Sequence, residues 1–294
     1  FFCKCGTRLE IPEPLAAQDE YRCVACEQTY SGEQYDGAIR YMQHNRLANA
    51  ALACAVVYAV ERDRSYADKA AEILLKYAEA YPGPHTGATE GGIMYQSLCE
   101  SVWVIPLAQA YDLIYYSRSL NDEQRKTVED RLLREVARGL MACGIGGNWG
   151  SWHLSAVGVI GLAIKDVSLV RYAVDSFGSQ IADQLGNDGL WPESVHFAEG
   201  CWRAGIDIYN WSPRPGKSLK AMFAAPLDYM YPSQQLPAIN DGWYHSYLPL
   251  SLYEIANRRW DDPVFGWVLK TGYRAHAPGD QPMANPRNSF YALL

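Results

Sequence analysis

The run Gly147-Asn148-Trp149-Gly150-Ser151-Trp152-His153 puts an amide, two indoles and an imidazole directly ahead of the apolar stretch Leu154 to Ile164. If that stretch is a helix, the polar cluster lies at its mouth, where unpaired backbone N–H groups and the positive end of the helix dipole favour anions. An uncharged amide such as Asn148 can hydrogen-bond a carboxylate there. The chemistry this suits is removal of a proton next to a carboxylate, because charge builds on the carboxyl group as the proton leaves. Donors preset for such charge are worth roughly 3–4 kcal/mol each. The same residues have plainer roles open to them: Asn148 as an N-cap, His153 as a satisfied wall histidine, Trp149 and Trp152 as core rather than sugar platforms. A helix starting near Asn148 puts His153 about one and a half turns on, so the two need not face the same way. A start nearer Ser151 leaves Asn148 in a loop, able to reach over the helix mouth.

A second polar knot follows at Asn187-Asp188-Gly189-Leu190-Trp191-Pro192-Glu193-Ser194, with His196 just beyond. Asp188 and Glu193 near one cleft would suit a glycoside hydrolase working by general acid and base. Asp188-Gly189 is also an ordinary turn signal, and Glu193-Ser194 can cap the next helix. Weaker candidates for substrate contact are Gln96 and Glu100 on one helix face, and Tyr244 in the loop Asp241-Gly242-Trp243-Tyr244-His245. Arg40, His44, Arg46, Arg134, Arg138 and Arg203 are the basic groups able to balance a polyanion. No phosphate loop, serine nucleophile elbow or dinucleotide fingerprint is present.

The eight cysteines fall into two groups. Cys3, Cys5, Cys23 and Cys26 read C-x-C…C-x-x-C, close enough to place four thiolates around zinc in a segment too short to have its own core. Two disulfides or idle thiols are the alternative. Cys54, Cys99, Cys143 and Cys201 are far apart within apolar patterns and read as small buried hydrophobes.

These groups need positioning, and the totals say by what. A chain of 294 residues with 49% hydrophobic and 20% charged residues is long enough for a large globular core. Its aromatic share of 13%, with 21 Tyr and 9 Trp, suits flat sugar faces as well as helix seams. A net charge of −7 argues against nucleic acid and requires a local basic patch for any polyanion. No stretch is long and apolar enough for a membrane span and no secretory signal is visible. The sequence opens on Phe1 without Met, so this decides little about compartment.

The periodicity reads as helix, short polar turn, helix, with hardly a convincing strand. Helices are expected at 47–60 (apolar on most sides, packed all round), 66–81 capped by Ser65, 93–116 kinked at Pro106, 123–141 behind Asn121, 148–164, 167–185, 195–205, 217–229, 246–258 and 263–273. The joints Glu61–Ser65, Ser117–Asp122, Lys165–Ser168 and Asn257–Pro263 are alike. They mark a weak repeat of helical hairpins about 45–60 residues long, the kind of array that closes into a solenoid or toroid. The expected organisation is a cysteine-rich, zinc-ribbon-like segment over 1–34 and an all-α, incomplete (α/α) toroid over 35–294.

From Asp36 onward the chain resembles the toroidal domain of heparinase II/III-like polysaccharide lyases. The resemblance rests on His44 in Tyr41-Met42-Gln43-His44-Asn45, on Tyr66 to Leu74, Gln96 to Ser101, Ala110 to Ile114, Asn148 to His153, Asp188 to Ser194 and Leu236 to Asp241, in that order. The cysteine-rich lead-in is similar to that of some members. The resemblance implies cleavage of uronic-acid polysaccharides by β-elimination, with a toroid Asn or His neutralising the uronate carboxylate and a Tyr, helped by a His, as base and acid. Asn148 matches the neutralising position, and His153 is the histidine carried over. It also implies a secreted or periplasmic, bacterial-type protein and no organic cofactor.

Two departures from the family pattern shape further expectations. The Tyr-bearing segment that should follow Ser194 is missing: either the chain has lost its base or residues are absent between Ser194 and Val195, and the second is favoured because a true deletion would cut a turn and most of a helix from a closed ring. Leu294 also arrives where a β-sandwich should begin. The function expected is therefore a polysaccharide lyase acting on an acidic polysaccharide. A lyase-derived glycan-binding scaffold and an (α/α)-toroid hydrolase using Asp188 and Glu193 are the alternatives.

Overall fold

The computed structural model describes residues 2–12, 16–144, 146–184, 193–238 and 246–275. Two compact units divide the chain, one formed by 1–145 with 152–170, the other by 146–151 with 171–294. Among the described residues the only strands are β1 (Tyr21–Arg22) and β2 (Thr29–Tyr30), so the all-α class holds.

In the first unit α1 (Glu33–Glu61) packs against α2 (Arg64–Ala80) and α3 (Ser97–Ile114). It does so through a one-sided stripe of Ala48, Ala51 and Ala55, whose small side chains let the neighbouring backbones come close, while Ile39 faces the segment before α1. The all-round packing expected of 47–60 is not found, since Leu47 is 45% and Val60 71% exposed. An alanine-rich run looks apolar on every side because alanine does not declare a face. Helix α3 is buried on most sides, through Trp103, Val104, Ile105, Leu107, Ala108, Tyr111 and Ile114. Pro106 lies inside α3, which continues through it. The cap of α2 is Asp63, whose carboxylate accepts from the Ser65 amide at 2.9 Å; Ser65, the expected cap, already lies within the helix.

Asn121 and Gln124 form a reciprocal capping box at the start of α4 (Asp122–Val128). A single wide π-turn, Glu129–Leu133, joins α4 to α5 (Arg134–Ala142), and the Tyr111 hydroxyl donates to Glu129 beside it. Both α6 (Gly147–Ala163) and α7 (Val167–Gln184) have one end in each unit. Their tight joint belongs to the first unit: a Cβ at Gly161 would meet Val170 N at 2.9 Å. Asp166 accepts from the Ser168 and Leu169 amides and pairs with Arg134. The Ser168 hydroxyl, opposed by partial burial and aided by Arg134, holds the Asp166 carboxyl down at about 2.

The second unit adds α8 (Glu193–Arg203), α9 (Leu219–Tyr229), α10 (Leu250–Trp260) and α11 (Pro263–Ala275), with α10 packed on α9 and α11. Phe223 stands edge-on to Tyr253, ring centroids 5.6 Å apart, and Phe197 and Phe265 are equally buried. A salt bridge locks α8 to α10. Arg259 donates to Glu199 through Nε at 2.7 Å and Nη2 at 2.5 Å, and the Tyr209 hydroxyl adds a bond at 2.7 Å. The Arg259 guanidinium also lies over the Trp202 ring, 4.6 Å from its centroid. Ser194 and Val195 both lie in the first turn of α8.

Candidate active site

The turn into α6 is made by Gly147, whose φ of 67° falls in the left-handed region that glycine adopts without strain. Gln180, buried on α7, donates its amide to the Gly147 carbonyl at 2.6 Å and pins the turn from the second unit's own side. Helix α6 therefore begins at Gly147, and Asn148 is in its first turn rather than in a preceding loop. The Ser151 hydroxyl bonds the Asn148 carbonyl at 2.8 Å, and the Asn148 residue itself is exposed. An exposed amide in a first turn, at the positive end of the helix dipole, can meet an anionic group from solvent. Trp149 and Trp152 are half-buried.

His153 leaves α6 about 140° round from Asn148, at 100° per residue. It is buried, 4% exposed. Burial first, then the neighbouring His85, push its imidazole down to about 4, against a raising contact with the Ser97 backbone. A neutral ring of this kind suits hydrogen bonding to a hydroxyl better than holding a proton near pH 7. Its Nε2 has no partner among the described residues.

Next to it in the first unit lies a carboxylate hub. Glu100, expected at the substrate, is fully buried, so its role is corrected to an internal one. Its oxygens accept the Ile93 amide at 3.1 Å and the Met94 amide at 2.8 Å, and His85 Nε2 stands 3.8 Å away. A carboxylate without water is tolerable when backbone N–H groups point at it. The hub ties down the Gly-rich loop 83–92. The Cys143 thiol on the Gly87 carbonyl (3.3 Å) and the Thr86–Glu90 backbone bond fasten it further.

His44, half-buried on α1, meets the Tyr77 hydroxyl at 3.0 Å through Nδ1. Burial lowers its pKa, Glu100 opposing and Arg40 assisting. Gln96 is half-buried at the α3 N-cap position. Thus His44, Gln96, Glu100 and His153 all belong to the first unit, while Asn148 and Trp149 belong to the second. Glu193 opens α8; Asp188 and Tyr244 lie outside the described residues. His196 is half-buried on α8 and pushed down to about 4 by desolvation. Three of the basic groups expected to balance a polyanion are paired with acids: Arg40 with Glu33, Arg134 with Asp166 and Asp130, and Arg138 with Glu135. Of the distant cysteines only Cys201 is fully buried; Cys54, Cys99 and Cys143 are half-exposed. Cys3, Cys5, Cys23 and Cys26 bring their sulfurs within 4.8 Å of one another.

Sequence reasoning missed His85 and Gln180. A histidine set between Pro84 and a run of glycines was the available signal for the first; nothing local marks the second. Gly92 tests the loop. It has a φ of 70°, and a Cβ there would collide with the His85 ring. Gly92→Ala is expected to lose about 1–3 kcal/mol, the cost of forcing an L residue into left-handed backbone. Chemical denaturation measures the loss, and faster amide exchange at Ile93 and Met94 places it in this loop.

The family description for alginate lyase matches residues 31–196. The chain is similar to an alginate lyase of Stenotrophomonas maltophilia, 34% identical over 177 residues, covering 56% of this chain and 23% of that protein. It is similar also to an exo-oligoalginate lyase of Saccharophagus degradans, 27% identical over 179 residues, covering 55% of this chain and 24% of that protein. The chain thus spans about a quarter of the length of these curated relatives. The crystal structure of an alginate lyase from Bacteroides ovatus matches with a TM-score of 0.66 over 93% of this chain and 79% of that one. Sequence identity there is 13%, so this likeness shows the fold alone.

Proposed function

Since the chain belongs to the alginate lyase family, we propose that it is the helical part of a polysaccharide lyase that cleaves alginate or a closely related polyuronate by β-elimination. The observation that carries this reading is the exposed Asn148 amide in the first turn of α6, inside the matched region. In the reaction, a proton leaves the carbon next to the uronate carboxylate. The electron pair left behind forms a double bond to the next carbon, and the glycosidic oxygen departs from that carbon and takes up a proton to become a free hydroxyl. Asn148 holds the carboxylate while charge gathers on it, and the α6 dipole adds to the pull. His153 is the histidine that the resemblance carries over, and burial keeps its imidazole neutral.

The narrower likeness to heparinase II/III-like lyases enters the same reading, supported by the ordered segments from His44 to Asp241. Trp149, half-buried in the same unit as Asn148, serves as a sugar platform. Because its polymer substrate does not cross membranes, the protein acts in the periplasm or outside the cell. No helix among the described residues is long and apolar enough to cross a membrane.

The test is incubation of the complete gene product with alginate, and with a heparin-type polymer as comparison. The expected result is rising ultraviolet absorbance from unsaturated uronate ends, larger with alginate. Saturated products would select hydrolysis through Asp188 and Glu193; tight binding without turnover would select a glycan-binding scaffold.

A further inference from the structure

We propose that Cys3, Cys5, Cys23 and Cys26 hold one structural zinc ion that fastens two small hairpins together and seats them on the first turns of α1. The two hairpins are built alike. In the first, Phe2 pairs with Arg8, the Cys3 amide donates to the Thr7 carbonyl (2.8 Å), and the Gly6 amide donates back to the Cys3 carbonyl (2.9 Å). In the second, Arg22 pairs with Thr29, the Cys23 amide donates to Gln28 (2.9 Å), and the Glu27 amide donates to the Cys23 carbonyl (2.9 Å). In each, the residue after the second cysteine turns left-handed: Gly6 at φ 86° and Glu27 at φ 62°. The repeated turn brings both cysteines of each pair to the same side of the backbone.

The sulfurs then face one another. Cys3 and Cys26 are 3.4 Å apart, Cys5 and Cys23 3.7 Å, and all four lie within 4.8 Å. Tetrahedral zinc with Zn–S bonds of about 2.3 Å sets its sulfurs about 3.8 Å apart. A disulfide would draw one pair to about 2.0 Å and leave no reason for the second pair to converge on the first. The outer contacts also suit thiolates: the Cys5 amide donates to Cys3 Sγ at 3.4 Å, and the Tyr30 hydroxyl lies 3.1 Å from the same sulfur, itself held by the Lys4 amide at 3.0 Å.

The segment also needs such a fastener. Among the described residues before α1, the large buried side chains are Leu9 and Tyr21. They share one small core with Cys3, Cys23 and Ile39 of α1, with Tyr30, Tyr35 and Met42 packed against it. Tyr21 reaches α1 directly, its hydroxyl donating to Asp36 at 2.7 Å and its ring stacked on Tyr35. A core of that size does not hold two hairpins unaided, and metal binding to such a segment is part of its folding.

The experiment is metal analysis of the complete chain purified without chelator. One zinc per chain is expected, and protein grown with cobalt should show the intense sulfur-to-cobalt absorption of a tetrahedral thiolate site. Cys5→Ser with Cys26→Ser should cut bound zinc to about a tenth or less. Cys54→Ser, a cysteine outside the cluster, should leave it unchanged. Removing the metal from the unaltered chain should open residues 2–32 to protease while α2 and α3 stay protected. Three results would overturn the proposal: metal-free protein with four freely alkylated thiols, disulfides mapped to Cys3–Cys26 and Cys5–Cys23 in never-oxidised protein, or full zinc retention in the double variant.

Discussion

Asn148→Ala is expected to lower the rate of unsaturated-product formation by about a hundred- to a thousand-fold, the usual loss when one preset donor to a developing negative charge is removed. The same substitution should change stability by no more than about 0.5 kcal/mol, because Asn148 is exposed and an exposed change away from special features rarely does more. That combination separates a working amide from one that merely helps start a helix. A purely structural Asn148 would leave the rate near normal. Asn148→Asp sharpens the contrast. It suits the first turn of a helix electrostatically, so folding is unharmed, but it sets a negative charge against the substrate carboxylate. Its activity should be as low as that of the alanine variant, read by the same absorbance assay.

The largest stability effect is expected at Arg259. Its side chain is 10% exposed and that of Glu199 is 7% exposed, so Arg259→Ala leaves a carboxylate buried without its cation. Such a loss costs about 3–5 kcal/mol. Replacing both partners, Arg259→Met with Glu199→Leu, removes the stranded charge and should recover more than half of that; only the Tyr209 hydroxyl then loses its acceptor. Denaturation of the two variants against the parent chain decides this. The pH dependence follows from the same pair. Burial would raise the Glu199 carboxyl, but Arg259 and then Tyr209 outweigh it and hold it below the ordinary carboxylate range. The stabilisation is thus present above the unfolded carboxylate range and fades as pH drops through the lowered folded value. In Arg259→Ala burial is opposed by the Tyr209 hydroxyl and the Arg203 charge but no longer by Arg259, so the carboxyl takes up a proton more readily and acidification relieves part of the defect. The gap between parent and variant should therefore narrow as pH falls.

What could be read before the structure follows from how far each interaction reaches along the chain. The helices were legible because their apolar faces repeat every three to four residues, and the cysteine cluster because its members sit in two tight pairs. The Asn148 turn was legible as a helix mouth, although its exact start depended on Gly147 and on Gln180 from another helix. Glu100 was misjudged as a substrate contact because nothing within its own helix indicates that the Ile93 and Met94 amides fold back onto it. The Glu199–Arg259 bridge joins residues sixty positions apart, and neither carries a local signal. The alanine run in α1 was read as symmetric because packing, not residue type, decides which of its sides is inner.

The wide turn at Glu129–Leu133 bears on how this chain tolerates changes in length. Dropping one residue from an ordinary helix swings everything downstream by about 100°, so side chains aimed at the interior end up aimed elsewhere. Here the helix already carries one residue more than its rise requires. Losing one from this stretch would tighten the turn to normal while Val136 and Leu140 beyond it kept pointing where they point now. The place in this protein best able to shed a residue is therefore inside a continuous helix, where a connecting segment would normally be sought.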